Sequence, residues 1–182
     1  MPDTSPLAPT TAAAMLRASA AALAAEVRAL PDPILRWHPA PGEWCVKDVL
    51  GHIIEAERRG FGGRIRIILE SDRPALQRWN QDEVAKARND CGRDGGELAV
   101  ELLRMREEEA ALVATLSAPD LERIGRHPVV GDLSVRDVLQ EWVHHDRNHL
   151  KQILTNVQAY VWPHMGNARR FSAGSAGSAV SP

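Results

Sequence analysis

The stretch SVRDVLQEWVHHDRNHLKQI, residues 134–153, decides the fold. Val135, Val138, Leu139, Trp142 and Ile153 recur at helical spacing, and His145, His149 and Gln152 fall on or beside the same inward stripe. Ser134, with Asp137 three positions on, reads as an N-cap close to a capping box, so a helix is expected over 135–157. An echo of this start lies upstream: Cys45-Val46-Lys47-Asp48-Val49-Leu50 matches Ser134-Val135-Arg136-Asp137-Val138-Leu139 at four of six positions and conservatively at the other two. A helix over 46–70 is expected after it, with Val49, Leu50, Ile53, Ile54, Phe61 and Ile65 facing inward. The echo implies that the two helices enter the core in similar ways.

Two further periodic stretches complete the set. A helix over 11–30 carries Met15, Leu16, Leu23 and Val27 and is stopped by Pro31 and Pro33. Another over 97–116 carries Leu98, Leu102, Met105, Ala110 and Val113 and lies between Gly96 and Pro119. No strand alternation bounded by turn signals is found. The fold class read from this pattern is all-α, an antiparallel four-helix bundle. The connections differ in length. Residues 32–44 hold Pro39, Pro41 and Gly42 with two tryptophans and read as an ordered cover loop, whereas 71–96 is polar, with a short helix expected around 76–88. These two longer loops are expected to crown one end. The domain reading is a flexible N-terminus at 1–9, the bundle at 10–160 and a low-complexity, disordered C-terminal tail at 161–182.

Composition sets limits on function. The chain has 182 residues, a net charge of -2, two cysteines, seven histidines and 44% hydrophobic residues, as expected for one globular domain with reduced thiols. No window is apolar enough to span a membrane, and the start lacks a secretory pattern, so a cytoplasmic protein with no membrane partner is expected. With 22 basic and 24 acidic residues there is no general field for phosphate backbones, so nucleic acid is not an expected partner. The histidine excess remains to be explained.

His145 and His149 are spaced i, i+4, which stacks them on one helix face within reach of one metal ion. His52, between Val49 and Ile53, lies on the inward face of the second helix and can supply a third imidazole, as cofactor sites in bundle cores are built. Three neutral histidines leave a position open, the arrangement of a catalytic rather than a closed structural zinc site. Three imidazoles do not select among zinc, nickel, copper and iron. Satisfied core histidines without a metal are the plainer alternative.

Three segments carry a family resemblance: Trp44-x3-Asp48-Val49-Leu50-Gly51-His52-x4-Glu57, Gly131-Asp132-Leu133-Ser134, and His145-Asp146-x2-His149-x2-Gln152. Together they resemble the DinB-like (DinB/YfiT) superfamily of metalloenzymes over residues 11–157. The resemblance implies a four-helix bundle holding a divalent metal ion, zinc or nickel, on His52, His145 and His149. It implies a metal-dependent transferase or hydrolase of a small molecule, such as a thiol-dependent S-transferase using a low-molecular-weight thiol as cofactor, and a homodimer. The reading from another class is a non-catalytic, stress-associated protein that binds a metal or ligand. Cys45 departs from the pattern, since relatives commonly place Ser or Thr at that helix cap and a thiol caps weakly.

Other polar residues have two readings each. Glu55, one turn beyond His52, is a candidate general base or part of a solvated face. Gln152 either hydrogen-bonds a ligand or substrate or packs along its helix. Asp146 backs a metal ligand or lies on the surface. Glu57 reads as a structural ion-pair partner, and Arg58, Arg59, Arg64, Arg66 and Arg147 as a basic face from which some could meet a carboxylate. Trp37 and Trp44 read as core or loop anchors, or as the lining of an entrance.

Overall fold

The computed structural model of the chain describes residues 5–173. Four long helices form the bundle: Pro9–Ala29, a second composed of Val46–Glu55, Ala56–Phe61 and Gly62–Glu70, a third at Gly95–Ala114 and a fourth at Val135–Val161. Their starts are capped locally. Pro9 stands in the first turn of the first helix, where a missing N–H leaves nothing unpaired, and the Asp94 side chain accepts the Glu97 amide. The Ser134 hydroxyl accepts the Asp137 amide at 3.0 Å while Asp137 Oδ2 accepts the Ser134 amide at 2.9 Å. The sequence echo is structural: Asp48 Oδ2 accepts the Cys45 amide at 3.3 Å, so the second and fourth helices open in the same way.

The first and second helices are diagonal, and each packs on the third and the fourth. Directions follow from the pairings. Arg17 meets Glu107, placing the first and third helices antiparallel with Val27 beside Gly95, whereas Leu7 meets Gln140 and Met15 meets Arg147, so the first and fourth run parallel. Arg58 meets Glu101 and Arg66 meets Glu109, so the second and third are also parallel. Asn156 donates to the Trp44 carbonyl and His52 faces His145, so the second and fourth are antiparallel. The bundle therefore runs up, down, down, up, and the long 71–94 connection exists because the third helix must start where the second started.

Several expectations are corrected. Residues 71–94 do not crown an end; they run the length of the bundle, from Leu76, whose amide bonds the Arg126 carbonyl, to Cys91 beside His38. The short helix there is Gln81–Arg88, capped by Asn80. An antiparallel hairpin, β1 (Ile124–His127) and β2 (Gly131–Ser134), precedes the fourth helix. Its strands of four residues are too short to show alternation, and Gly125 is required where the hairpin closes on Ile68 and Leu76, a Cβ there coming within 3.0 Å of both. The second helix is not continuous α-helix but contains a π-helical turn at Ala56–Phe61. Of the two segments expected to be loose, Leu7 is bonded to Gln140 and residues 162–173 form short helical turns, where Arg169 donates to the carbonyls of Trp162 and Pro163. Residues 1–4 and 174–182 lie outside the described residues. No helix among the described residues is long and apolar enough to cross a membrane.

The core divides into two apolar clusters, and each helix crosses from one to the other at a polar residue. Ser19 lies between Leu16 and Ala20, Glu57 between Ile54 and Phe61, Arg106 between Leu102 and Ala110, and Asp146 between Val143 and Ile153. Arg106 is the centre of this belt: it reaches Glu57 Oε2 at 2.7 Å, Asp146 Oδ2 at 2.5 Å and the Leu16 carbonyl at 2.8 Å, with all three side chains at most 1% exposed. One cation serves two carboxylates. Burial pushes the Glu57 carboxyl up to about 7, opposed by Arg106 and reinforced by Asp146.

Arg106→Met removes the cation of this belt, and loss of about 3–5 kcal/mol in denaturant unfolding is expected. Glu57→Gln behaves differently. A carboxyl raised in the folded chain favours folding below its unfolded value of 4.5 and loses that contribution as pH rises toward about 7. The stability of Glu57→Gln relative to the parent is therefore expected to improve between pH 5 and 8, and a flat difference over that range contradicts the assignment.

Candidate metal centre

The apolar stripe of the fourth helix carries His145 and His149 one turn apart just beyond the level of the polar belt, and His52 meets them from the antiparallel second helix. The ring centroids are 5.2 Å apart for His52 and His145, 4.6 Å for His52 and His149 and 4.3 Å for His145 and His149. One nitrogen from each ring lies within 4.8 Å of the others. His52 Nε2 and His145 Nε2 are 3.1 Å apart, close to the separation of about 3.3 Å that two imidazoles adopt on one tetrahedral ion. Burial lowers all three, His52 to about 4 and His145 to about 2, with His149 adding to the shift of both. The imidazoles are thus neutral at pH 7, the state that ligates.

The surroundings orient the rings. His149 Nδ1 donates to Gln152 Oε1 at 2.8 Å, which assigns its tautomer and leaves Nε2 a lone pair. His145 Nδ1 is buried without a hydrogen-bond partner, and the ring is held by Phe61 at 4.9 Å and by its neighbours in the triad. Asp146 points away from the triad into the belt, where Arg106 fixes it. Trp44 and Trp79 flank His52, with ring centroids 4.8 and 5.9 Å away. The three histidines line a cleft of about 560 Å³ whose walls include Ala56, Gly60 and Phe61 of the π-helical turn and residues 78–82 of the crossover. Arg64 and Arg78 reach the same cleft, Arg64 Nη2 lying 3.1 Å from His127 Nε2.

The sequence-predicted residues divide accordingly. His52, His145, His149 and Gln152 come together. Glu55 does not: it is 3% exposed, does not line the cleft, and accepts from Arg58 at 2.5 Å, Arg59 at 2.6 Å and Arg88 at 2.8 Å, so it is neither on a solvated face nor placed as a base. Glu57 is the ion-pair partner expected. Trp44 lines the cleft, whereas Trp37 packs edge-on against Tyr160. Arg78, Trp79 and Asn80 gave no sequence signal, because the crossover that carries them has no periodicity to fix which side chains turn inward.

A family model described as the DinB superfamily matches residues 15–153. YuaE of Bacillus subtilis (strain 168), itself uncharacterized, is 29% identical over 139 residues, spanning 70% of this chain and 86% of that protein. Among solved structures, YfiT from Bacillus subtilis superposes with a TM-score of 0.78 at 19% identity, covering 87% of this chain and 90% of that one. YfiT is described as a probable metal-dependent hydrolase with an unusual four-helix bundle topology. At that identity the likeness establishes the fold.

An unpaired buried nitrogen destabilises the chain that carries it, by about 1–3 kcal/mol. His145→Leu, similar in volume and without polar atoms, is expected to unfold in metal-free buffer at the same or a higher denaturant midpoint than the parent. A loss of more than about 1 kcal/mol shows instead that the ring has a structural partner.

Proposed function

The chain belongs to the DinB superfamily, and we propose that it is a metal-dependent enzyme acting on a small molecule, with its divalent ion held by His52, His145 and His149. The observation that carries this reading is the convergence of three neutral imidazoles from two helices on one point of a cleft open to substrate. When bound, such an ion acts as a Lewis acid that makes an anionic nucleophile, water or a thiol, available near neutral pH. The expected reaction is hydrolysis or thiol-dependent S-transfer, with zinc or nickel as the ion and a low-molecular-weight thiol as the co-substrate of the transfer.

The chain's own residues have separate tasks. Gln152 fixes the His149 ring, and the packing of Phe61 holds His145. Trp44 and Trp79 shield the His52 side of the cleft from bulk water and offer flat apolar walls to a substrate. Arg64 and Arg78 place positive charge at the opening, which favours a substrate or thiol bearing a carboxylate. Glu141 and Asp82, also on the cleft, are the carboxylates available there for proton transfer in place of Glu55.

Metal analysis of the purified chain tests the site. Relative to the parent, loss of one equivalent of nickel or zinc is expected in His52→Ala, His145→Ala and His149→Ala; unchanged content in His145→Ala contradicts the proposal. Gln152→Ala is expected to weaken binding at the triad by about 10- to 100-fold while the fold persists. Turnover is read by screening small electrophiles and esters with several cellular thiols, where activity is expected to follow metal content across the same variants.

A further inference from the structure

A second group of ligating side chains stands apart from the histidine triad, at the head of the second helix. His38, Cys45, Asp48 and Cys91 each present one donor atom within 4.8 Å of the others. They come from three segments: the 30–45 connection, the first turn of the second helix, and the short turn Asp90–Gly92 that ends the crossover. We propose that these residues form a second metal site, for a thiolate-preferring divalent ion of the zinc class, with His38, Cys45 and Cys91 as ligands and the Asp48 carboxylate completing the set.

Three features of the geometry support the assignment. His38 Nδ1 lies 2.7 Å from the Glu43 carbonyl, which makes it the protonated nitrogen and leaves the Nε2 lone pair facing Cys91 Sγ at 3.6 Å. A backbone carbonyl behind a ligating imidazole is the usual way such a ring is oriented. The distance itself is informative: bonds of about 2.3 Å to sulfur and 2.0–2.1 Å to nitrogen at a tetrahedral angle place the two atoms about 3.6 Å apart. Asp48 joins both cysteine segments, Oδ2 accepting the Cys45 amide at 3.3 Å and Oδ1 the Cys91 amide at 3.2 Å.

The electrostatics are also favourable. Two thiolates and a carboxylate around a doubly charged ion carry a net charge of about −1, and this sits at a helix N-terminus, where negative charge is stabilised. Thiolate ligands select zinc-like ions over magnesium or calcium. Binding would release the two thiol protons to solvent. Cys45 is buried and His38 exposed, so the site has a closed back and an open side for entry. A filled site would fasten the 30–45 connection and the crossover to the helix that carries His52, beside the Trp44 wall of the cleft.

Cobalt(II), added to the reduced, metal-free full-length chain, separates this site from the triad, because only sulfur ligation gives intense near-ultraviolet charge-transfer absorption. The expected result is a charge-transfer band in the parent, retained in His145→Ala, absent in Cys91→Ser and Cys45→Ser, and requiring on the order of 10-fold more cobalt in His38→Ala. Cys91 lies on a surface turn, so its serine variant tests the site even if Cys45→Ser fails to fold. Absence of the band in the reduced parent overturns the proposal, as does its persistence in Cys91→Ser or its loss in His145→Ala. A Cys45–Cys91 disulfide that persists by mass in the chain purified anaerobically with a zinc supplement also overturns it, since the pair then closes on itself.

Discussion

Arg106, held between Glu57 and Asp146, is the constraint on which the rest of the structure depends. Three helices contribute charged side chains to one buried point, and the first adds a backbone carbonyl from Leu16. Replacing a buried ion cluster with apolar groups is often neutral or stabilising, so net stability does not explain why it is there. Its contribution is register. A helix sliding by one turn would leave a carboxylate or the guanidinium unpaired in the core, so the four helices have one mutual alignment. Asp146 is fixed by that alignment, and with it the ring beside it in the chain, His145.

The π-helical turn belongs to the same arrangement. It begins at Ala56, one residue before Glu57, and both Glu57 and Phe61 within it are buried. Glycine at 63 leaves room for the backbone of the turn, and glycine at 62 leaves room for the Glu109 carboxylate. A Cβ on Gly63 would lie 2.2 Å from the Arg58 carbonyl oxygen, and one on Gly62 would lie 2.2 Å from Glu109 Oε2. The inner surface of this turn is also a wall of the cleft. The crossover supplies the opposite wall because the parallel second and third helices force the chain to travel the full length of the bundle. The ion cluster of Glu55, Arg88, Asp90, Arg93 and Glu101 then holds the end of that crossover against the second and third helices.

Much of this was legible in the sequence, and the reasons differ by element. The four helices declare themselves by period, and the histidines by falling on the apolar stripe. The echo of 45–50 in 134–139 was legible because capping is a local interaction of residues three apart. Arg106 was not, since it lies in the run RMREEEAA, which reads as a solvated face unless the two carboxylates that meet it on other helices are known. Glu55 failed for the related reason that its partners, Arg58 and Arg59 on its own helix and Arg88 in the crossover, bury a residue whose spacing from His52 suggested chemistry. The hairpin and the cleft wall at 78–82 are determined by long-range contacts, and no short-range pattern encodes those.

The unsatisfied atoms point to the same place by a separate route. Among the described residues, the buried side-chain polar atoms without a hydrogen-bond partner are Glu57 Oε1, Arg64 Nε, Glu109 Oε2 and His145 Nδ1. Folded proteins satisfy nearly all such atoms, because each one left unpaired costs free energy comparable to a lost hydrogen bond. A random scatter over the bundle would be unremarkable in a chain with so many charges. Two of the four, His145 Nδ1 and Arg64 Nε, belong to side chains that line the histidine cleft, whereas Glu57 belongs to the Arg106 belt and Glu109 lines a separate cavity beside Arg66 and Met105. A fold selected for stability alone would fill these positions with apolar side chains of similar volume. At His145 and Arg64 that cost falls on the cleft itself, which fits the proposed site and is independent of the spacing that first drew attention to the histidines.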